Sequence, residues 1–149
     1  MENNSTSWMS LSRQSVSRSL IWREGFSENL VRKGKEFWGA YFLAYEDSHL
    51  YIADFDNSRI QIWSVDGAFQ KSFPLSFKPR GVALLNHVLF ISNEDGHLIH
   101  VYSKEGKELN KWGSQGSTHG QFNSPTGLCC DDNNLYVADY YNHRIAVFA

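Results

Sequence analysis

Six histidines and one adjacent cysteine pair are the residues of this 149-residue chain best suited to hold a metal or act as nucleophiles. Their spacing favours neither use. His97 and His100 are three apart, and on a β-strand that separation sends the two side chains to opposite faces. His49 and His87 fall in equivalent loops just ahead of a strand, while His119 and His143 fall in other loops, so no Cys/His group has ligand spacing. Cys129 and Cys130 cannot staple distant segments. In an inner strand, one would face each side of its sheet as a small hydrophobe. The stretch Gly113 to Gly120 is glycine-rich but lacks the following helix and lysine of a phosphate cradle. No Ser/His/Asp nucleophile context or dinucleotide fingerprint is visible. The expectation is a non-enzymatic chain with no catalytic residue, no metal site and no cofactor.

The charged residues carry a more specific pattern. Asp54 and Asp139 each end one apolar run, and Arg59 and Arg144 each begin the next. Each pair therefore faces across a hairpin, where opposite charges stabilise one another. In a third, related segment the Asp has become Asn93 and the Arg has become Leu98. Both partners are lost together, as expected of a structural pair, because a lone charge is the costly state. Asn57 and Asn142 suit a turn position of positive φ, with Gly96 filling the same place.

The elements that must position these residues recur along the chain. Leu50-Tyr51-Ile52-Ala53-Asp54, Leu89-Phe90-Ile91-Ser92-Asn93 and Leu135-Tyr136-Val137-Ala138-Asp139 align without gaps. Each is followed by a four-residue turn and a second run, ending in Ile60-Gln61-Ile62-Trp63, Ile99-His100-Val101-Tyr102 and Ile145-Ala146-Val147-Phe148. Upstream, Pro79-Arg80-Gly81-Val82 matches Pro125-Thr126-Gly127-Leu128. The period is 39 residues from Leu50 to Leu89 and 46 from Leu89 to Leu135, the extra seven lying in Gly113 to Gly120. Apolar residues alternate with period two in β-branched and aromatic runs, which predicts strands. Asp66-Gly67 and Glu105-Gly106 then turn the chain into a fourth strand, Phe69 to Phe73 and Glu108 to Trp112. No segment has a helical period. The predicted fold is all-β, with three four-stranded units at about 40–73, 79–112 and 125–149, the last lacking its outer strand. Residues 18–39 read as a degenerate partial repeat contributing outer strands. Residues 1–17, in a start with seven serines among its first 19 positions, read as disordered.

Composition limits the function classes. Net charge is −2, with +2 over residues 1–39 and −4 over the remainder, so the folded part lacks the basic excess of a nucleic-acid binder. No apolar run approaches the ~20 residues that a bilayer demands. The polar start lacks a secretory core, and there is no disulfide pattern; both point to the cytoplasm and away from membranes.

The third unit resembles an NHL repeat. It reads Gly120-Gln121-Phe122-Asn123-Ser124-Pro125-Thr126-Gly127, then Leu135 to Asp139, then Asn142-His143-Arg144-Ile145-Ala146-Val147-Phe148. The first unit keeps Asp54, Asn57, Arg59 and Ile60, while the second keeps only Asn93, Gly96, His97 and Leu98. The resemblance covers about residues 36–149. It implies an incomplete β-propeller of about three NHL-type blades, in a family whose rings are commonly six-bladed and bind proteins or RNA, as in the tripartite-motif ubiquitin ligases. A related propeller carries a zinc-dependent amidating lyase, but the histidines here cannot be placed around its channel.

In a propeller, one rim would gather Phe55, Asp56, Glu94, Asp95, His97, Tyr140, Tyr141 and His143, together with Lys78, Arg80 and the Gly113–Gly120 loop. Aromatic residues on a loop rim are what recognition sites use. The expected function is a protein-binding scaffold. RNA is the alternative, disfavoured by the acidic side chains, and a propeller-type lyase or hydrolase ranks behind both. Three blades do not close a ring of the usual four to eight. A homodimer would close a six-bladed one if Phe26 to Val31 of each chain supplied the outer strand missing from the other's last blade.

Overall fold

A computed structural model describes residues 36–149. The Ser-rich stretch 1–17, most of the partial repeat at 18–39 and the donor segment Phe26 to Val31 lie outside the described residues. The first sheet contains β1 (Ala40–Glu46), β2 (His49–Asp54), β3 (Arg59–Ser64) and β4 (Phe69–Pro74), antiparallel in chain order. The second contains β5 (Pro79–Leu85), β6 (Val88–Asn93), β7 (Leu98–Ser103) and β8 (Glu108–Trp112), again in chain order. The third has three strands: β9 (Pro125–Cys130), β10 (Leu135–Asp139) and β11 (Arg144–Phe148). Apart from one 3-10 turn at Tyr140–Asn142, every regular element among the described residues is a strand. The chain is all-β, as its alternating pattern requires.

Antiparallel pairing sets the register. Asp54 lies opposite Arg59 and Asp139 opposite Arg144, while Asn93 lies opposite Leu98. Tight turns close β3 onto β4 and β7 onto β8 where the Asp-Gly and Glu-Gly pairs stand, with Gly67 and Gly106 donating N–H to the Ser64 and Ser103 carbonyls.

Alternate side chains of each strand point toward the next sheet, and this builds two inter-blade cores. Between the first and second sheets lie Tyr51, Ala53, Ile60, Ile62, Phe73, Val82, Leu84, Leu89, Ile91 and Tyr102. Between the second and third lie Ala83, Ile99, Phe122, Leu135 and Val137, with Phe90, Trp112, Ala146 and Phe148 packed against them. Hydrophobic burial between blades is therefore the force that holds the fold. Ile60 and Ile99 are 0% exposed, but Ile145, at the matching place on β11, is 62% exposed, with Val147 beside it also open. Among the described residues, nothing covers the outer edge and far face of the third sheet.

At the inner edge, β5 and β9 approach closely. Ser92 Oγ accepts from Gly81 N–H at 2.7 Å and donates to the Thr126 carbonyl at 2.6 Å. A Cβ on Gly81 would lie 2.2 Å from that carbonyl oxygen, so the junction requires glycine.

The three hairpins that carry the Asp, Asn and Arg residues correct one expectation. The residue of positive φ is Ser58, His97 or His143, at φ 49°, 55° and 53°, one position after Asn57, Gly96 and Asn142. The asparagines are placed there for their amides, which donate to Asp54 and Asp139. Gly96 is needed for space instead, since a Cβ there would sit 2.5 Å from the Asn93 side chain.

Candidate functional site

The β2–β3, β6–β7 and β10–β11 hairpins and the connections entering β1, β5 and β9 all emerge on one rim, because the strands alternate direction within each sheet. Beneath the first and third hairpins sits a buried carboxylate. Asp54 accepts from Trp38 N–H at 2.8 Å, Arg59 Nε at 2.7 Å, Gln61 Nε2 at 2.8 Å and Asn57 Nδ2 at 3.0 Å. Asp139 accepts from Asn123 N–H at 2.6 Å, Asn142 Nδ2 at 2.8 Å and Arg144 Nε at 2.8 Å. Neither carboxylate reaches solvent. Arg144 extends further and donates to the Ser117, Thr118 and Gln121 carbonyls, while Arg59 donates to that of Glu36. Each Asp–Arg pair thus fastens its own hairpin to the segment entering its blade.

The second blade closes its hairpin with neutral groups. Asn93 Oδ1 accepts from Gly96 N–H at 2.9 Å, and Asn93 Nδ2 lies 3.4 Å from His100 Nε2. His100 is buried, stacked on Phe77 at 4.0 Å, with Nδ1 3.1 Å from Glu108. Burial holds its pKa below the usual imidazole value, and the hydrogen bond to Glu108 opposes that shift.

The rim residues predicted from sequence fall into separate groups. Phe55 is half-buried against Tyr41, edge to face at 5.3 Å. Arg80 lies over Tyr41 at 4.1 Å and over Phe55 at 5.4 Å, paired with Glu94 at 3.3 Å. Lys78 pairs with Asp56 at 2.8 Å, which raises the lysine pKa. The charges of this group are mutually satisfied. His97 serves a different purpose: its Nδ1 accepts the Ser124 N–H at 3.0 Å, tying the second blade to the third.

Tyr140 and Tyr141 stand apart from that group. They are 59% and 58% exposed, edge to face with centroids 4.8 Å apart. Among the described residues, no ion pair or ring contact joins them to Arg80 or Phe55. Their backbone is fixed: Tyr140 N–H donates to the Ser124 carbonyl, Tyr141 N–H to that of Asn123, and His143 N–H to that of Tyr140. His143 forms the exposed end of this turn. Tyr41, Trp38 and Ser124 also contribute to this rim. Tyr41 was detectable, since it occupies the repeat position of Arg80.

On the opposite rim, Glu46, Asp47 and His87 offer ligand atoms within 4.8 Å of one another. The Lys104 ammonium already pairs with both carboxylates and offsets one of their two charges. Cys129 is exposed. Cys130 is half-buried with Sγ 2.6 Å from the Leu84 carbonyl, and burial raises its pKa. No helix among the described residues is long and apolar enough to cross a membrane.

Comparison with known proteins agrees with this architecture. Residues 122–148 match the NHL repeat. No curated protein matches the chain. Among solved structures, the glutaminyl cyclase of Myxococcus xanthus aligns at 20% identity with a TM-score of 0.57, over 66% of this chain and 42% of that one. Virginiamycin B lyase from Staphylococcus aureus aligns at 14% identity and TM-score 0.55, over 78% of this chain and 42% of that one. A chain of a nidogen/laminin complex aligns at 18% identity and TM-score 0.56, over 74% and 48%. The chain thus spans less than half the length of these propeller structures, which include enzymes and a protein complex. This chain is built of β-propeller blades, and the third of them matches the NHL repeat.

Proposed function

We propose that the chain is a non-catalytic interaction module that binds protein partners through the Tyr140–Tyr141 rim. The observation that carries this reading is the exposed tyrosine pair standing on a backbone already fixed by Ser124 and Asn123. Large aromatic side chains that lose little freedom on binding are the usual anchors of protein interfaces. RNA is the weaker reading. A stacking platform needs nearby free cations to follow a phosphate backbone, and Lys78 and Arg80 are committed to Asp56 and Glu94. The presence of a nidogen/laminin complex among structures of the same fold is consistent with a binding role, although the enzymes among them share that fold equally.

The test compares capture of partners from cell extract by the wild-type chain and by Tyr140→Ala/Tyr141→Ala. Far-ultraviolet circular dichroism confirms that both are folded. Loss of one anchor at ~2 kcal/mol predicts ~30-fold weaker capture, and loss of both, if additive, roughly 1,000-fold. Equal recovery would place the interface elsewhere.

A further inference from the structure

The second blade differs from its neighbours in a way that reaches the tyrosine pair. The first and third hairpins are held by Asp–Arg pairs. The second is held by Asn93 with Gly96 and the His100 imidazole, and the His97 imidazole ties it to the third blade. Both imidazoles must be neutral for the observed bonds to exist. Asn93 Oδ1 is occupied by Gly96 N–H, so its Nδ2 faces His100 and His100 Nε2 must be an acceptor. The ring proton then resides on Nδ1 and is donated to Glu108. His97 Nδ1 likewise accepts the Ser124 N–H, and the Ser124 carbonyl accepts Tyr140 N–H.

We propose that His97 and His100 form a latch that acid releases, freeing the Ser124 segment on which Tyr140 and Tyr141 stand. As regulation of the rim, this rests on the binding role proposed above; as a property of the fold, it does not. Protonation of His97 Nδ1 sets a donor against the Ser124 donor and breaks that bond. Protonation of His100 Nε2 sets a donor against Asn93 Nδ2. Relief requires the amide to flip, which costs the Gly96 bond and loosens the turn carrying His97.

The ionisable groups around His100 are Glu108 and Lys111 on β8 and Tyr102 on β7. Phe77 and Asn93 cover its other sides without charge. Glu94 and Asp95 share the turn of His97. Burial outweighs Glu108 and favours the neutral His100 ring in the fold. The His100 half of the latch is therefore fully present above the ordinary imidazole pKa of ~6.5 and is lost as pH falls below it. Each imidazole that takes up a proton on opening multiplies the opening constant by up to ~10 per pH unit.

Amide hydrogen exchange of the 149-residue chain at pH 7 and pH 5, corrected for intrinsic exchange, tests the latch. Protection of the Ser124 and Tyr140 amides should fall at least ~10-fold. The Asn123 amide, bonded to Asp139 instead of an imidazole, should hold. In His97→Asn, whose oxygen can accept from Ser124 and whose residue type tolerates φ 55°, the Ser124 loss should vanish. Unchanged protection in wild type, a parallel fall at Asn123, or the same fall in the variant would each overturn the latch. Because the readout needs no partner, a rim that captures nothing would leave the latch standing.

Discussion

Replacing Asp139 by Asn removes a charge from a site designed around it, and the cost follows from the contacts. The carboxylate is fully buried and accepts from Asn123 N–H, Asn142 Nδ2 and Arg144 Nε at 2.6 to 2.8 Å. An amide of the same shape must present one donor to these donors and leaves Arg144 without its counter-charge. Breaking a buried pair costs ~3–5 kcal/mol. The guanidinium is about one-third exposed, so water recovers part of this, leaving ~3 kcal/mol for Asp139→Asn. Arg144→Leu costs ~2 kcal/mol, because Asp139 keeps two donors and water can reach the Ser117 and Thr118 carbonyls. The second blade tolerates Asn93 opposite Leu98, so the double variant Asp139→Asn/Arg144→Leu should cost at least ~1 kcal/mol less than the two single costs combined. Urea denaturation followed by tryptophan fluorescence gives all four corners of the cycle, provided m stays constant. Additivity within ~0.5 kcal/mol would refute the idea that these residues stabilise as a unit.

Two further outcomes are expected. Gly81→Ala drives a methyl into the Thr126 carbonyl of the next blade and should cost ~2–3 kcal/mol in thermal unfolding; at Gly120, where space is open but φ is +76°, Ala should cost only ~1 kcal/mol. Tyr102, pushed up to about 12 by burial and then by Glu108, should be the last tyrosine to ionise in a spectrophotometric titration. Its contribution is present below the ordinary pKa of ~10 and lost as pH rises toward 12, so Tyr102→Phe should flatten that alkaline loss, and an unchanged alkaline profile would contradict it.

The sheets were legible because their signal is local. Alternation across Ile60/Ile62, Ile99/Val101 and Ile145/Val147 needs no partner to be read, and the Asp54/Arg59 spacing places two charges opposite each other in any two-stranded hairpin. Contacts between blades were less legible. His97 meets Ser124 across 27 residues and Ser92 meets Thr126 across 34, and no periodicity encodes which polar side chain finds which backbone group. The same holds for Phe55: its type suggests a recognition residue, but Tyr41, Lys78 and Arg80 enclose it. The positive φ was assigned one residue early because Asn and Gly are the residue types most associated with it, whereas the amide bonds to Asp54 and Asp139 fix where Asn must stand.

Arg144 grips the carbonyls of Ser117, Thr118 and Gln121, and Asn142 grips that of Gly116. Both feet of the seven-residue insertion are therefore anchored to the blade it precedes, and at its crest the exposed His119 leans on Phe148, with centroids 5.9 Å apart, leaving Gly120 with open space around it. Residues added beside Gly120, where a Cβ would meet nothing within 4 Å, would disturb the blade stacking least. The insertion is thus a natural grafting point, where a new epitope could be displayed while the scaffold beneath keeps its shape.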